Sequence, residues 1–403
     1  MKPLFLILAF FVLNICVYAQ TNKVEIGTID SIHSKILNEK RAIWVYVPNN
    51  GNQATFTQAR YPVVYLLDGD WYFNSVVGIV QHLSYINGNT ICPEMIVVGI
   101  PSIDRYKDLT PTCDSMYSPT SGGNKKFISF IENELIPYID SVYPVEPYRM
   151  LIGHSLGGLT VMNTLVNNTN LFNAYVAIDP SMWWDKQSSL KETEKVLSKK
   201  KFDNVSLFLA ISNSMDMGMD TIKVKKDSTK NTLHIRSLLE LSSYLKTNNQ
   251  HALIYQVKYY DNENHGSIPL IAEYDALHFI FNFYHLPLTK KDYDDTSLNL
   301  AYKIENHYKN ISEKMGYEVI PSENTIYALG FNSLFMKNLV LAEYFFKLNI
   351  KNHPESFVAY DSFGDYYDAV GDTSNAIIMY NNALSIKENA DTRKKLDKLK
   401  SKK

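Results

Sequence analysis

Short apolar runs alternate with longer amphipathic stretches over the first two thirds of the chain. Runs that are apolar on both faces and separated by helices indicate a mostly parallel sheet covered by helices on both sides. The sequence therefore predicts a doubly wound α/β domain over residues 24–288. The predicted strands are residues 42–47, 63–67, 95–100, 149–153, 175–178, 205–211 and 253–259, and helical periodicity covers residues 125–142, 156–166 and 233–245.

One strand-to-helix junction carries the hexapeptide GHSLGG at residues 153–158. It follows an apolar strand and begins a helical run, which is the context that a G-x-S-x-G nucleophile elbow requires. The serine of such an elbow stands in a strained turn, and flanking glycines let strand and helix approach closely. Ser155 is therefore the predicted nucleophile. The Leu156 amide, at the positive end of the helix, is a predicted oxyanion donor.

The histidines differ in how well they could serve Ser155 as a general base. A serine hydroxyl needs such a base, and the chain order in this fold is serine, acid, histidine. His265 lies in the polar loop 261–267, directly after the last predicted strand, and is the predicted base. His82 and His234 are interpreted as surface or core residues of helices.

The acid that orients the histidine is expected in the loop after strand 205–211. Asp216 is the best-placed carboxylate of that loop, and Asp220 is the second candidate. Asp179, in the turn after strand 175–178, is a third candidate. Each of the three could instead cap a loop.

Six segments of characteristic composition occur in order between residues 40 and 285. Together they resemble the esterase branch of the α/β-hydrolases, which includes the esterase D type and the enterobactin-type siderophore esterases. The resemblance implies an α/β-hydrolase fold and hydrolysis of a carboxylic ester through an acyl-enzyme, without a cofactor. The segments are YLLDGD at 65–70, VVGI at 97–100, DRYKDLTP at 104–111, GHSLGG at 153–158, PSMWW at 180–184 and NHGS at 264–267.

The same resemblance implies roles for residues outside the elbow. The Asp70 amide would be the second oxyanion donor. Trp183 and Trp184 would lie near the acyl or alcohol pocket, with core packing as the alternative. Arg105, paired with Asp108, would brace the loop above the site.

The sequence departs from the family pattern where the catalytic acid is expected. Residues 212–214 read SNS where relatives often show a glycine followed by glutamate, so a serine–histidine dyad stays open. Two other functions also stay open. One is transfer of the acyl group to an alcohol acceptor, and the other is an inactive binding module that recruits a partner through its C-terminal repeats.

The N-terminus has the pattern of a secretory signal peptide. Lys2 precedes the apolar run 4–13, and small residues end the segment at Ala19. The run is shorter than the roughly 20 apolar residues that span a membrane. The sequence thus predicts a signal peptide over residues 1–19 and a secreted or periplasmic protein. Lipid attachment at Cys16 is the alternative.

The charge and the cysteine and histidine content limit which partners the sequence predicts. The formal net charge is -2, which gives no field of one sign to attract nucleic acid. No cysteine–histidine cluster has metal-ligand spacing, so no metal is predicted. Cys92 and Cys113 could form a disulfide in an exported protein or remain two free thiols.

Beyond residue 288 the pattern changes. Residues 289–320 are interpreted as a linker with divergent helices, and residues 321–403 as tetratricopeptide-like helical repeats, because small and aromatic residues recur at a spacing of 34. Such repeats would offer a concave face to a protein or peptide. A plain helical appendage is the alternative. The recurring pairs are Gly330 with Gly364, Ala342 with Ala376, and Phe346 with Tyr380.

Overall fold

The computed structural model describes residues 23–48, 56, 59–248 and 251–401. The predicted signal peptide, residues 1–19 with Cys16, lies outside these residues. No helix in the described ranges is both long and apolar enough to cross a membrane.

A sheet of eight strands occupies the centre of the described chain, in the order β1-β2-β4-β3-β5-β6-β7-β8. The first two strands pair antiparallel with their neighbours, and all other pairings are parallel. The predicted α/β fold with a mostly parallel sheet is therefore confirmed. The strands are β1 (Thr28–Ser34), β2 (Glu39–Tyr46), β3 (Tyr61–Leu67), β4 (Ile96–Ile100), β5 (Val145–His154), β6 (Ala174–Ile178), β7 (Ser206–Ser212) and β8 (Ile254–Tyr260).

Helices cover both faces of the sheet because its central strands are apolar on both sides. In β3, Val63 and Tyr65 enter the hydrophobic cluster of one face, and Val64 and Leu66 enter that of the other. The helices of the first face are α3 (Asn124–Phe130), continued through a π-helical turn into α4 (Ile136–Val142), α5 (Leu156–Asn167), α6 (Trp184–Leu197) and α7 (Leu233–Thr247). The second face carries α1 (Gly69–Ser84) and α8 (Ile268–Ile280), and the short α2 (Arg105–Leu109) follows β4.

The remaining described chain is all helical, as predicted. Within it, Ile311 and Met315 join the same apolar cluster as Tyr148 and Phe281 of the α/β part. Part of the segment interpreted as a linker thus covers the α/β core. The helices are α9 (Lys290–Asp294), α10 (Asn299–Met315), α11 (Glu323–Phe335), α12 (Leu339–Asn352), α13 (Phe357–Ala369), α14 (Thr373–Ile386) and α15 (Ala390–Lys400).

The 34-residue spacing corresponds to a repeated contact between paired helices. A Cβ on Gly330 of α11 would lie 2.9 Å from the Phe346 ring of α12. A Cβ on Gly364 of α13 would lie 2.5 Å from the Tyr380 ring of α14. In both pairs the missing side chain admits an aromatic ring. Assignment of these pairs as tetratricopeptide repeats stays a prediction.

The two cysteines are not joined. Cys92 is a buried free thiol and Cys113 is an exposed one. Burial raises the pKa of the Cys92 thiol, so that thiol stays protonated at neutral pH. Of the two alternatives that the sequence left open, the structure has the free thiols.

Candidate active site

Ser155 stands at the sharp turn between β5 and α5. Its backbone has φ 60° and ψ -116°, a strained conformation of the kind that costs about 1–3 kcal/mol. A Cβ on Gly153 would lie 2.5 Å from the Gly157 carbonyl carbon, so only glycine lets strand and helix meet here. The Ser155 amide donates to the Ile178 carbonyl at 3.0 Å, which ties the turn to the end of β6. The strand–turn–helix context of the elbow is confirmed.

His265 reaches Ser155 from the loop between β8 and α8. Its Nε2 lies 3.1 Å from the Ser155 Oγ, within hydrogen-bonding distance for a general base. The His265 side chain is 45% exposed, so the contact between these two residues is open to solvent. The structure therefore brings the predicted nucleophile and the predicted base together.

The carboxylate beside His265 belongs to Asp179. Its Oδ2 lies 2.6 Å from His265 Nδ1, and its side chain is fully buried. Asp179 directly follows β6 and has a left-handed backbone, φ 43°. Asp216, the first choice for the acid, is instead exposed in the loop after β7, and no hydrogen bond joins it to His265 in the described part of the chain. Asp220 is likewise exposed, and its carboxylate accepts hydrogen bonds from the amides of its own loop.

Sheet register explains why Asp179 occupies this position. Ile178 lies opposite Ala210 in the β6–β7 pairing, so both strands end at the same edge. Ser212, the last residue of β7, donates its amide to Asp179 Oδ1 and its hydroxyl to Oδ2, both at 2.8 Å. The end of β7, next to the loop where the sequence predicted the acid, instead supplies hydrogen bonds to Asp179, which follows β6.

The protonation states follow from burial and hydrogen bonding. Burial alone would raise the pKa of Asp179, but hydrogen bonds from His234, His265 and the Ser212 amide hold it well below its ordinary value. Burial, together with the neighbouring His265, lowers the pKa of His154 to about 4. The ring of His154 is tilted by 42° against that of His265, with the ring centres 4.5 Å apart, and it is neutral at pH 7. Asp179 is thus the ionised partner of His265.

Sequence reasoning missed two neighbours of these residues. His234, at the start of α7, approaches Asp179 Oδ2 with its Nε2 at 2.9 Å. The hydroxyl of Ser181 lies 3.3 Å from the Ser155 hydroxyl. Helical periodicity around His234 carries no signal for this contact. Ser181 could have been suspected, because its segment 180–184 directly follows a buried strand.

The turn after β3 lies against the elbow. A Cβ on Gly69 would lie 2.5 Å from Gly99, and one on Gly157 would lie 3.4 Å from the Asp68 carboxylate. Asp70, the predicted second oxyanion donor, stands in the first turn of α1 beside these contacts. The structure therefore brings the 68–70 turn next to the start of α5.

Arg105 has a different partner from the predicted one. It forms two hydrogen bonds to Asp68, at 2.9 and 2.8 Å, and not an ion pair with Asp108. Asp108 is buried and pairs with Arg41 at 2.6 Å. The guanidinium of Arg105 also lies 4.8 Å from the ring centre of Trp71, which is 60% exposed. Arg105 thus braces the 68–70 turn and leaves an exposed aromatic ring beside it.

The two tryptophans occupy different environments. Trp184 is fully buried, and its Nε1 donates to the Thr112 carbonyl at 3.2 Å, so it is a core residue. Trp183 is half-buried, and its ring lies 5.1 Å from that of the exposed Tyr117. Of the pair, only Trp183 offers a partly open surface close to Ser181.

One side-chain set in the described residues has metal-ligand character. Donor atoms of Asp179, His234 and His265 lie within 4.8 Å of one another, and a carboxylate with two imidazoles suits zinc. However, one nitrogen of each imidazole, Nε2 of His234 and Nδ1 of His265, already forms a hydrogen bond with Asp179 Oδ2. The three side chains therefore form a hydrogen-bonded network.

A family model described as "Putative esterase" matches residues 34–264, more than half of the chain. The chain belongs to this esterase family. The matched range ends one residue before His265 and contains Ser155 and Asp179.

Curated relatives of this esterase-family chain include ferri-bacillibactin esterase BesA of Bacillus subtilis. It is 33% identical over 196 residues, 43% of this chain and 66% of BesA. A siderophore enterobactin esterase of Emericella nidulans is 29% identical over 154 residues, 34% of this chain and 51% of that protein. The chain thus spans between 51% and 66% of the length of these two relatives.

Solved structures extend the similarity beyond the family match. An IroE-like serine hydrolase from Shewanella oneidensis is 28% identical with a TM-score of 0.66, covering 80% of this chain and 98% of that one. An uncharacterised protein from Capnocytophaga ochracea has a TM-score of 0.57 over 93% of this chain and 99% of its own. At 18% identity the second likeness shows the fold alone.

Proposed function

We propose that this protein is a serine esterase in which Ser155, His265 and Asp179 form the catalytic triad. The observation that carries the proposal is the continuous hydrogen-bonded path from Ser155 Oγ through His265 to the buried carboxylate of Asp179. These roles and their chain order match the Ser-Asp-His template of α/β-hydrolases. Membership of the esterase family supports the reaction class.

In the first half of the reaction, Ser155 Oγ attacks the ester carbonyl and His265 Nε2 takes its proton. The His265 ring is then charged, and Asp179 stabilises it through Nδ1–H. The amides of Leu156 and Asp70 are the proposed donors to the oxyanion. His265 returns the proton to the departing alcohol, which leaves an acyl group on Ser155.

In the second half, water replaces the alcohol. His265 Nε2 removes a proton from the water as it attacks the acyl carbonyl. Collapse of the tetrahedral intermediate breaks the bond to Ser155 Oγ, which recovers its proton from His265. The neutral His154 ring beside His265 adds no positive charge that would oppose the imidazolium. The original Ser155 proton leaves with the alcohol and a proton from water replaces it on Oγ, so the triad is restored and itself needs no cofactor.

The proposed substrate class is siderophore esters. BesA is named a ferri-bacillibactin esterase, and the Emericella relative is named a siderophore enterobactin esterase. The site here is also open, since His265 is 45% exposed and Trp71 is 60% exposed. An open site with Trp71 and Trp183 nearby suits a bulky ester. Export through residues 1–19 stays part of this proposal.

The test is ester turnover by Ser155→Ala beside the wild type. We expect the substitution to abolish hydrolysis of a chromogenic short-chain ester, because loss of a triad serine costs on the order of 10⁶ in kcat. A fluorophosphonate should label the wild type and not the variant. A panel of short acyl esters, feruloyl sugars and a cyclic triserine siderophore then identifies the substrate class. Near-normal turnover by folded Ser155→Ala would refute the proposal.

A further inference from the structure

Asp179 binds a second imidazole that the proposed reaction does not use. His234 Nε2 lies 2.9 Å from Asp179 Oδ2, the same oxygen that contacts His265 Nδ1. The two rings are 5.4 Å apart and nearly perpendicular. His234 is the second residue of α7, and its side chain is only 19% exposed. The first turn of α7 therefore lies against the carboxylate of the proposed triad.

The proton on His234 is assigned from its two nitrogens. The ionised Asp179 can only accept, so the nitrogen that faces it carries a proton. The other nitrogen, Nδ1, is buried and has no hydrogen-bond partner in the described part of the chain. A proton on that nitrogen would be a buried, unsatisfied donor, which is costly. His234 therefore donates to Asp179 from Nε2, and its Nδ1 has no acceptor nearby for a second proton in the described residues.

Donors from three elements fix the direction of the carboxylate. The Asp179 amide bonds to the Ala210 carbonyl, which anchors the backbone and leaves only side-chain torsions free. Ser212 holds Oδ1 through its amide and Oδ2 through its hydroxyl. His234 approaches Oδ2 from α7. Without His234, which is 19% exposed, Oδ2 loses a donor and water can enter the space beside the carboxylate and compete with His265.

We propose that His234 is a positioning residue that holds Asp179 Oδ2 on His265 Nδ1 and thereby keeps the catalytic imidazole in its productive tautomer. This inference rests on the proposed triad. The His234 ring contacts the Asp179 carboxylate and lies beside the His265 ring. A second cation at this place would compete with the His265 imidazolium for the same carboxylate.

The test compares His234→Leu with His234→Gln on a soluble chromogenic ester. Leucine fills the space without a donor, whereas the glutamine amide can donate from nearly the place of Nε2. We expect His234→Leu to lower kcat by about 10- to 100-fold, the value of a hydrogen bond to a charged group, with little change in KM. His234→Gln should recover kcat to within about threefold of wild type.

A matched control separates positioning from packing. His251 is a buried histidine away from the triad, and its Nδ1 accepts a hydrogen bond from the Leu253 amide. His251→Leu should lower Tm with little effect on kcat. In an Asp179→Asn background, His234→Leu should cost no further kcat, because residues that act through one group are not additive.

Two readouts keep this inference distinct from the proposed function. In the full-length wild type, the proton between His265 and Asp179 should give a low-field ¹H NMR signal that His234→Leu shifts and His234→Gln preserves, whether or not an ester turns over. If the wild type showed no serine-dependent ester turnover while the NMR signal still responded to the two variants in this way, only the proposed function would be refuted. An unchanged signal and wild-type kcat in folded His234→Leu, or equal losses in both variants, would overturn the positioning role.

Discussion

At the scale of single residues, the buried glutamate of α8 has a testable effect on stability. Glu273 is 2% exposed, and burial raises its pKa to about 8 despite a hydrogen bond with Ser75. The Ser75 hydroxyl lies 2.9 Å from Glu273 Oε2 and 2.8 Å from the Tyr72 carbonyl. One hydroxyl proton cannot serve both acceptors fully, which also favours a protonated Glu273.

We expect Glu273→Gln to reduce the loss of stability at alkaline pH. A carboxyl whose folded-state pKa lies above its unfolded value of 4.5 supports the fold fully below that pH. Its contribution is lost as the pH rises through about 8. Between pH 5 and pH 9, wild type should lose more free energy of unfolding than Glu273→Gln, by an amount on the order of a few kcal/mol.

The measurement is denaturant unfolding of both proteins at the two pH values. Glu192→Gln, the same change at a glutamate whose side chain is 43% exposed, is the matched control and should follow wild type. Identical pH dependence in wild type and Glu273→Gln would contradict a protonated Glu273.

At the scale of secondary-structure elements, apolar patterning was sufficient to predict most strands of the sheet but not to predict which aspartate contacts His265. Predicted strand 63–67 corresponds to β3 (Tyr61–Leu67), because burial on both faces leaves a continuous apolar signal. Predicted helix 125–142 corresponds to the run from α3 to α4, because burial of one face leaves a helical period of apolar residues. β1 was missed, since it is an edge strand with largely exposed residues and no such signal.

The acid could not be chosen from local sequence. Both Asp179 and Asp216 follow buried strands, and only tertiary structure determines which one meets the loop of His265. Asp179 follows β6 immediately, whereas Asp216 is four residues beyond the end of β7 in an exposed loop. The contact between His234 and Asp179 could not be predicted from the sequence for the same reason. Ser155 and His265 were predictable because the glycine pattern and the chain order constrain them directly.

At the scale of the whole molecule, α10 links the α/β part to the helical tail. Ile311 and Met315 pack beside Phe281, whereas Leu300 and Ile304 pack beside Phe345 of α12. His307 Nε2 also bonds to the Tyr284 carbonyl at 2.9 Å. The sequence placed the end of the catalytic domain at residue 288, but the core of that domain includes one side of α10.

We therefore expect two truncations to behave differently. A chain ending at residue 320 keeps α10 and should retain kcat on a soluble ester to within about threefold. A chain ending at residue 288 exposes the apolar surface that α10 covers and should have a lower Tm or aggregate. The measurements are Tm and turnover of both truncations beside the full chain. A folded but inactive chain ending at 320 would show that the later helices shape the active site.

The most direct test of the proposed triad is the turnover of Asp179→Asn beside Asp216→Asn. Replacing a triad aspartate by asparagine typically lowers kcat by on the order of 10⁴, because the histidine takes the wrong tautomer. The account predicts a loss of roughly that size for Asp179→Asn, with phosphonate labelling slowed in parallel. Asp216→Asn should stay within about twofold of wild type, since its carboxylate is exposed. A large loss in Asp216→Asn, or near-normal kcat in folded Asp179→Asn, would contradict the assignment of Asp179 as the acid.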